Sequence, residues 1–598
     1  MKKTKKQNKT NKNKFKIFSY ITIIILDWLV LTTILFLKKK DILPLKYFLP
    51  IILVLLLTAT VFSIIIIKKK FKNRIKIPIT ILSILEIIAL AFALIYMNKT
   101  FKFLDNIGDS GYHIENYSVI VLKDRYKDIK ELDAKTISYY NQENSTIGAA
   151  LDKLNEEIST IKEEASNYQE LVDKLYNEET EAIMIEESHR NMIEEKNTDF
   201  KDKTEVIYKI EIKTETVSIV KNVNVNKEPF NVYISGIDTY GTIDSVSRSD
   251  VNIVATINPK THQVLLTSIP RDYYVDLADT GSKDKLTHAG MYGVDKSIKT
   301  IENLLDTEIN YYVKVNFSSV QNIIDALGGV EVYSEYSFTG YEGTIFSEGY
   351  NRVNGFQALD FARTRKTVPG GDRTRGINQQ ALISAMIEKA CSKEILTKYT
   401  SLLKSLEGSF QTNMSTEEIT SLVKNQINEM AKWNISSINL DGYDGSGYTY
   451  SYSWEPLYVM VPYEDSVTEA QQKIKEVLND QTLESSYVAN DGNVNTPGQG
   501  TPYWMIEYSY QETPASPVPE EPKQEEKTEP VELEEQENKE NKENKENKEE
   551  LKDPENKPEE NTEEPIEEPE NKENKENKEE PDNGQELVQG QTETTIVE

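Results

Sequence analysis

The sequence predicts an α/β protein in which a layered α-β-α domain and a small α/β accessory domain follow three transmembrane helices and precede a disordered tail. Long apolar runs are confined to the first 100 residues, and strand-like and helix-like segments alternate from there to about residue 480. Such alternation indicates helices layered on a sheet. We therefore divide the 598 residues into the ranges 1–97, 98–227 and 228–480, an irregular extension at 481–514 and a tail at 515–598.

Charge is strongly segregated along the chain. Residues 1–100 contain 19 Lys and Arg against 3 Asp and Glu, whereas residues 521–598 contain 11 Lys against 30 Asp and Glu. The segment between them is also acidic, in a chain of formal net charge −29. An acidic body of this kind argues against a nucleic-acid partner. Cys391 is the single cysteine, so the chain forms no intrachain disulfide and no cysteine-based zinc site.

Three apolar runs, at 15–37, 48–67 and 77–97, each approach the roughly 20 residues that a helix needs to cross a bilayer. The first run is long and no small-residue cleavage site follows it, so we expect an uncleaved anchor rather than a signal peptide. Lysines before the first run and the basic cluster at 68–76 predict a cytoplasmic N-terminus, although the loop at 38–46 is also basic. Everything after residue 97 is then extracytoplasmic.

Two carboxylic acids, Asp27 and Glu86, fall within the first and third apolar runs. Ionisable groups at such depth are candidates for function. We favour the simpler expectation that they pair between helices or stay protonated.

The accessory range shows no catalytic pattern. It predicts strands at 117–122, 181–185 and 206–212 and helices at 147–161 and 166–175. Its many acidic residues are expected to form a solvated face.

The second module alternates apolar runs with helical patterns. Strands are predicted at 230–234, 251–257, 264–269, 311–315 and 330–333, and helices at 296–305, 318–327, 355–363, 377–391 and 415–430. A last strand is predicted at 503–510. The tail repeats ENKENKENKEE from residues 540 and 570 and has too few apolar residues to fold.

Arginine and aspartate concentrate at the edges of predicted elements in the second module, where α/β sheets place ligands. The residues concerned are Asp238, Arg248, Asp250, Arg271, Asp272, Arg363, Arg365, Arg375 and Gln379. Arginine forks suit phosphate oxygens, whereas the aspartates would repel an anion unless a divalent cation lay between them. The combination predicts a metal-bridged pyrophosphate. Any one of these residues alone would more simply form a surface ion pair that contributes little.

Three strings within residues 230–389 resemble the LytR–CpsA–Psr (LCP) family of bacterial cell-envelope enzymes. They are RSDVNIVATINPKTHQVLLTSIPRD at 248–272, LGGVEV at 327–332 and FARTRKTVPGGDRTRGINQQ at 361–380. The three apolar runs and the inserted first module look like the capsule-type branch of that family. The second module would then be an LCP-like catalytic domain.

The resemblance implies a phosphotransferase that moves a glycopolymer from a polyprenyl-pyrophosphate lipid to peptidoglycan and forms a phosphodiester. The protein would be a multi-pass protein of the cell membrane, with most of the chain outside, in a bacterium of Gram-positive type. The polymer would be capsule polysaccharide, teichoic acid or another glycan.

The resemblance also implies residue roles. Asp238 and Asp250 would hold Mg²⁺ or Mn²⁺, and Arg271, Asp250 and Asp272 would be catalytic. The pyrophosphate would lie among Arg248, Arg271, Arg363, Arg365, Arg375 and Gln379. Asp272 would orient Arg271, and Asp250 and Asp272 are the candidate bases.

Three further expectations concern the surroundings of the site. Asn378 stands where many relatives have arginine, which affects one polar contact. His288 is expected to support a turn rather than accept a proton. The lipid tail needs an apolar tunnel, for which the helix at 296–305 and the sheet are candidate walls.

Two other functions stay open on the sequence alone. A hydrolase would cleave the same lipid pyrophosphate with water as the acceptor. A non-enzymatic membrane regulator of capsule or wall-polymer assembly would tolerate loss of the site residues.

Overall fold

A computed structural model describes residues 2–41, 43–104, 112–142, 146–215, 221, 223–237, 243–394, 410–486 and 492–503. The tail predicted at 515–598, Asp238 and all but the first residue of the strand predicted at 503–510 lie outside the described residues.

Three N-terminal helices within the described residues are long and apolar enough to cross a membrane, which confirms the prediction. They are α1 (Lys2–Lys40), α2 (Leu45–Ile67) and α3 (Asn73–Leu104). Asp27 of α1 accepts a hydrogen bond from Ser63 of α2 at 3.4 Å, and Thr58 of α2 donates to Glu86 of α3 at 2.7 Å. Both acids are therefore paired between helices, as expected.

The accessory domain is a mixed sheet with helices on both faces. Its strands have the spatial order β3-β2-β4-β1-β5 and are β1 (Tyr112–Leu122), β2 (Thr136–Tyr140), β3 (Ile161–Ala165), β4 (Ala182–Glu186) and β5 (Thr204–Glu215). The helices are α4 (Ile147–Glu157), α5 (Tyr168–Tyr176), α6 (Glu187–Lys196) and α7 (Phe200–Lys203). Leu151 and Leu154 of α4 pack on one face, and Leu171 and Leu175 of α5 pack on the other.

The helix predicted at 147–161 is too long. It ends at Glu157, Ile158 is extended, and the chain then enters β3. Residues 158–161 read Ile-Ser-Thr-Ile, and their β-branched side chains favour extended backbone over a further helical turn.

The acids of the accessory domain do not all lie on a solvated face. Glu115 and Glu186 are only 8% and 7% exposed. Thr214 donates to Glu115 at 2.8 Å, so this carboxylate is satisfied by hydrogen bonds. Burial raises the pKa of Glu186 to about 8, partly offset by the hydroxyl of Ser188. Glu186 is therefore predominantly neutral at pH 7.

Replacing Glu186 with glutamine is expected to raise the melting temperature of the protein, and the gain should grow with pH. A carboxyl group with a raised pKa contributes its stability below the unfolded pKa and loses it as the pH rises through the folded pKa, here about 8. Glutamine does not titrate, so the variant escapes this loss. Thermal unfolding of the wild type and of Glu186→Gln, from below the unfolded pKa of the carboxyl group to above pH 8, gives the difference in melting temperature. The exposed Glu164→Gln is the control, and a gain that shrinks with rising pH would contradict the assignment.

The second domain is built on a central sheet and several short strands. The strands of the domain up to β15 are β6 (Phe230–Ile237), β7 (Ser249–Asn258), β8 (Gln263–Ile269), β9 (Tyr274–Leu277), β10 (Ser282–Lys285), β11 (Tyr311–Val315), β12 (Val330–Ser334), β13 (Phe338–Thr339), β14 (Thr344–Phe346) and β15 (Gly349–Val353). The later strands are β16 (Gln411–Thr412), β17 (Asn434–Asn439), β18 (Gly442–Thr449), β19 (Tyr452–Pro462), β20 (Val494–Asn495) and β21 (Gly498–Gln499). The central sheet has the strand order β16-β11-β6-β7-β8-β17. Strand β6 runs antiparallel to β7 and parallel to β11, and β8 runs antiparallel to β7 and parallel to β17.

Helices cover both faces of this sheet. They are α8 (Leu286–Ala289), α9 (Val294–Leu305), α10 (Phe317–Ala326), α11 (Gly355–Arg363), α12 (Asp372–Ala390), α13 (Thr416–Glu429) and α14 (Glu464–Leu478). Tyr233 of β6 packs with Ile298 of α9 and Ile474 of α14 on one face. Val232, the preceding residue of β6, belongs to the cluster on the other face, against Ile383 of α12. The predicted α-β-α layering is confirmed.

The helix predicted at 377–391 begins earlier, at Asp372. Gly370 and Gly371 have φ values of 78° and 57° and form the turn that starts it. The first turn reads Asp-Arg-Thr-Arg and lacks the apolar spacing that marks a helix, so periodicity alone missed it. This earlier start places Arg375 in the first turn of α12.

The anchor and the second domain are in contact. Asp41, in the loop between α1 and α2, forms an ion pair of 2.6 Å with Lys424 of α13. Three spans put this loop and the chain after α3 on one side of a membrane, and the contact agrees with that arrangement.

Candidate active site

An apolar cavity of about 750 Å³ lies between the central sheet and helices α10, α11 and α12. Its wall is mainly aliphatic and includes Val232, Val251, Ala255, Ile323, Leu359 and Ile383. The expectation that the helix at 296–305 lines such a tunnel is wrong. That helix, α9, packs on the opposite face of the sheet, because Ile298, Ile301 and Leu305 join the cluster that contains Tyr233.

Six of the predicted site residues lie in the wall of this same cavity: Asp250, Arg271, Arg363, Arg365, Arg375 and Gln379. Asp250 stands near the start of β7 and Arg271 just after the end of β8. The antiparallel register pairs Asn252 with Ile269, which brings these two strand ends together. The cavity is thus apolar along most of its wall and highly charged in one part.

Arg271 is held by two aspartates. Its Nη1 lies 2.9 Å from Oδ2 of Asp250, and its Nε lies 3.3 Å from Oδ2 of Asp272. Thr287 donates to the other oxygen of Asp250 at 3.2 Å, and Lys285 donates to the other oxygen of Asp272 at 3.0 Å. These two ion pairs hold the guanidinium at the cavity wall.

The electrostatics of this group follow from its burial and its charges. Burial alone would raise the pKa of Asp272, but the positive charges of Lys285 and Arg271 lower it below the usual aspartate value. Burial alone would lower the pKa of Arg271, but Asp250 and Asp272 raise it. Arg271 and Asp272 are therefore both ionised at neutral pH. Asp272 is not part of the cavity wall, and its geometry is that of a residue that positions Arg271.

The other arginines of the cavity wall add positive charge close to Arg271. Burial lowers the pKa of Arg375, and the charges of Arg271 and Arg365 lower it further, although Asp372 opposes them at 2.6 Å. Arg375 also lies in the first turn of α12, where the helix dipole favours an anion. The guanidinium of Arg363 stacks 4.1 Å from the ring centroid of Phe317. Mutual repulsion among these cations makes the site favourable for a multiply charged anion.

The structure does not bring Arg248 to the cavity wall. Its Nη1 lies 3.2 Å from Oε1 of Glu195, on α6 of the accessory domain. Arg248 therefore pairs with the accessory domain and is not among the residues of the cavity wall.

Other expected residues take structural positions. His288 is buried, and its Nδ1 lies 2.6 Å from Asp284, which also accepts from the backbone of Ser451 at 2.9 Å. This agrees with a supporting role in the turn. Asn378 is buried and donates to the carbonyl of Phe361 at 3.3 Å, so it lies behind the cavity wall rather than in it.

Reasoning from the sequence missed several residues of the site. Lys285 and Thr287 bind the two aspartates, Lys366 and Tyr341 line the cavity, and Tyr503 lines it from beyond the predicted domain. The string Lys285-Leu-Thr287 directly before His288 carries a usable signal, since its polar residues alternate at a strand end. The sequence around Tyr503 does not mark it as a site residue, because only the fold of the extension brings it near the cavity.

The structure describes one of the two predicted metal ligands. Asp250 lies in the cavity wall, and its oxygens accept from Arg271 and Thr287. Asp238 lies outside the described residues. Within the part of the chain that the structure describes, no three His, Cys, Asp or Glu side chains form a metal-binding group. One carboxylate beside clustered arginines suits Mg²⁺, which usually binds one or two carboxylates together with substrate phosphates.

The fold and the site define a membrane-anchored α/β protein with a cluster of arginines in the wall of an apolar cavity. Residues 187–475 match the model of the LytR_cpsA_psr family. The chain belongs to this LytR–CpsA–Psr family.

Curated relatives in the family carry the name polyisoprenyl-teichoic acid–peptidoglycan teichoic acid transferase TagU. The protein of Bacillus cereus (strain AH820) is 38% identical over 199 residues, which cover 33% of this chain and 65% of that relative. The chain thus spans slightly less than two thirds of that relative's length. The protein of Enterococcus faecalis (strain ATCC 700802 / V583) is 33% identical over 273 residues, covering 44% of this chain and 86% of the relative.

Solved structures of the family are also similar. The crystal structure of B. subtilis TagV is 28% identical, with coverage of 43% of this chain and 99% of that chain and a TM-score of 0.37. The structure of the family protein YwtF (TagT) with bound octaprenyl pyrophosphate lipid is 28% identical, with coverage of 44% and 94% and a TM-score of 0.34.

Proposed function

We propose that this protein transfers a glycopolymer from a polyprenyl-pyrophosphate carrier to peptidoglycan. The observation that carries the proposal is the cavity itself. Its aliphatic wall suits a prenyl chain, and Arg271, Arg365 and Arg375 suit the pyrophosphate at the end of that chain. The volume of about 750 Å³ is in the range of sites that bury a sizeable ligand.

The proposed reaction is a phosphoryl transfer. A hydroxyl of peptidoglycan attacks the phosphorus next to the glycan, and a new P–O bond forms. The P–O bond to the lipid phosphate breaks, and polyprenyl phosphate leaves. The hydroxyl proton passes to a base, and the product is a phosphodiester between glycan and peptidoglycan.

The arginines act by neutralising charge. Negative charge grows on the transferred phosphoryl group and on the departing lipid phosphate, and preorganised cations stabilise that charge more than they stabilise the ground state. Arg271 is preorganised by Asp250 and Asp272. Of the two candidate bases, Asp250 is the better placed, because it lies in the cavity wall and Asp272 does not.

We also propose that the site uses Mg²⁺ or Mn²⁺. Asp250 would hold the ion from the described part of the chain, together with Asp238. A bound divalent ion would neutralise phosphate oxygens beside the arginines, and it would remove the repulsion between Asp250 and an anionic substrate.

The anchor gives the site access to its lipid. Part of the chain crosses the membrane, so the site stays near the bilayer from which the prenyl chain of the carrier enters the cavity. Peptidoglycan acceptors exist only outside the cell, which supports the cytoplasmic N-terminus and an extracytoplasmic catalytic domain. The names of the curated relatives favour teichoic acid over capsule polysaccharide as the first polymer to test.

Reconstitution tests the proposal. The full chain in detergent is supplied with a polyprenyl-pyrophosphate-linked glycan, Mg²⁺ and peptidoglycan oligomers, and the products are separated by size and charge. Attachment of glycan to the oligomers is the expected result. Free glycan phosphate without attachment would favour the hydrolase instead. No turnover, with binding retained, would favour the non-enzymatic regulator.

A further inference from the structure

The segment 492–503, called here the extension segment, folds onto the second domain rather than continuing away from it. Strand β20 pairs in parallel with β15, and β21 pairs antiparallel with β14. Gly500 donates its N–H to the carbonyl of Gly343 at 2.7 Å. Gly343 has a φ of 88°, and a Cβ there would lie 2.6 Å from the carbonyl oxygen of Gly500. The glycine at position 343 thus allows the backbones to approach closely.

This docking brings a pair of tyrosines together in the wall of the cavity. Tyr503 donates its N–H to the carbonyl of Tyr341 at 2.9 Å. The two rings lie 6.3 Å apart between centroids at 37° to each other, and Tyr341 is 37% exposed. Both rings border the cavity.

The pair lies beside the arginines. The N–H of Tyr341 donates to the hydroxyl of Thr364 at 3.1 Å, and Thr364 stands between Arg363 and Arg365. Lys366 places its ammonium 5.4 Å from the ring centroid of Tyr503. A group attached to a pyrophosphate at Arg365 would therefore meet aromatic rings and a cation next.

The chemistry of these side chains fits a sugar. A pyranose ring presents C–H bonds on its faces and hydroxyls at its edge. An aromatic ring packs its apolar face against the C–H bonds, and phenol and ammonium groups form hydrogen bonds with the hydroxyls. The prenyl chain needs no polar partner, and the aliphatic part of the cavity already accommodates it.

We propose that Tyr341 and Tyr503 form a subsite for the sugar attached to the pyrophosphate, so that the extension segment completes the donor site. This inference rests on the proposed function and names the part of the donor that the rings recognise.

Binding of two matched lipids tests it. The full chain in detergent is titrated with a polyprenyl pyrophosphate that carries one N-acetylglucosamine and with the same lipid without sugar. Tyr503→Ala is expected to weaken binding of the sugar-bearing lipid roughly three- to tenfold, the range of one aromatic contact. Binding of the bare lipid should not change. Tyr503→Phe keeps the ring but loses the phenol hydroxyl, so its affinity for the sugar-bearing lipid should fall between those of wild type and Tyr503→Ala.

Two more variants complete the design. Tyr341→Ala should repeat the selective loss from the other ring. Tyr448→Ala removes an exposed tyrosine outside the cavity wall and should change neither affinity. Equal weakening of both lipids by Tyr503→Ala, or no weakening, would overturn the subsite. Failure of the wild-type chain to bind either lipid would overturn the proposed function and the subsite with it.

Discussion

Replacing Arg271 with alanine is expected to lower turnover of the lipid-linked glycan by about 10³-fold or more, the usual cost of removing a cation that stabilises a phosphoryl transition state. Arg271 lies in the cavity wall and is the residue that both Asp250 and Asp272 hold. Its loss removes a positive charge beside the transferred phosphate and leaves Asp250 without its cationic partner, whereas Asp272 keeps its pair with Lys285. Rates of glycan attachment under saturating lipid measure the effect.

Arg248→Ala is the matched control for this prediction. It removes an arginine of the same motif whose side chain pairs with Glu195 instead of facing the cavity. Its turnover should fall far less than that of Arg271→Ala. Arg271→Lys separates charge from shape, and it should recover only part of the rate because lysine lacks the planar fork. Equal losses for Arg248→Ala and Arg271→Ala would show that the cavity wall does not define the site.

Filling the cavity with a larger side chain is expected to block binding of long lipids. Ala255 of β7 lies in the cavity wall and is buried, opposite Val232 in the strand register. In Ala255→Phe the ring would occupy space that the prenyl chain needs. We expect the affinity for a long polyprenyl pyrophosphate to fall by about tenfold or more, equivalent to roughly 1.4 kcal/mol. Isothermal titration with the full chain in detergent measures this.

Chain length supplies the control. A pyrophosphate with a short prenyl group, which would fill only part of the cavity, should lose little affinity. Ala255→Val should lie between wild type and Ala255→Phe. The cavity offers room for the ring, so the melting temperature should change less than in an overpacked core, where extra bulk costs about 1–3 kcal/mol. An equal loss for short and long lipids would contradict a prenyl-binding role for the cavity.

The sequence predicted most of this site because its residues lie in short motifs at the ends of regular elements. Asp250 and Arg271 flank two strands that pair antiparallel, so their meeting followed from a single hairpin. Arg363 is the last residue of α11, and the observed bounds of this helix are the predicted ones. The local sequence pattern was sufficient to predict these residues. The alternation of strand-like and helix-like segments predicted the α-β-α layering.

Contacts between distant segments were beyond such reasoning. The partner of Arg248 is Glu195, on a helix of the accessory domain that was not predicted. The sheet lines the cavity as expected, but α9 does not, because apolar spacing does not reveal which face of a sheet a helix covers. Ile298 of α9 packs with Tyr233, whereas the cavity opens beside Val232, the adjacent residue of β6.

The fate of the phosphorus next to the glycan tests the central claim most directly. The donor is prepared with ³²P in that phosphate only and is incubated with the full chain, Mg²⁺ and peptidoglycan oligomers. The account predicts that the label appears in the oligomers in a linkage stable to phosphatase, while unlabelled polyprenyl phosphate is released. Label recovered as free glycan phosphate, or oligomers that carry glycan without label, would contradict it.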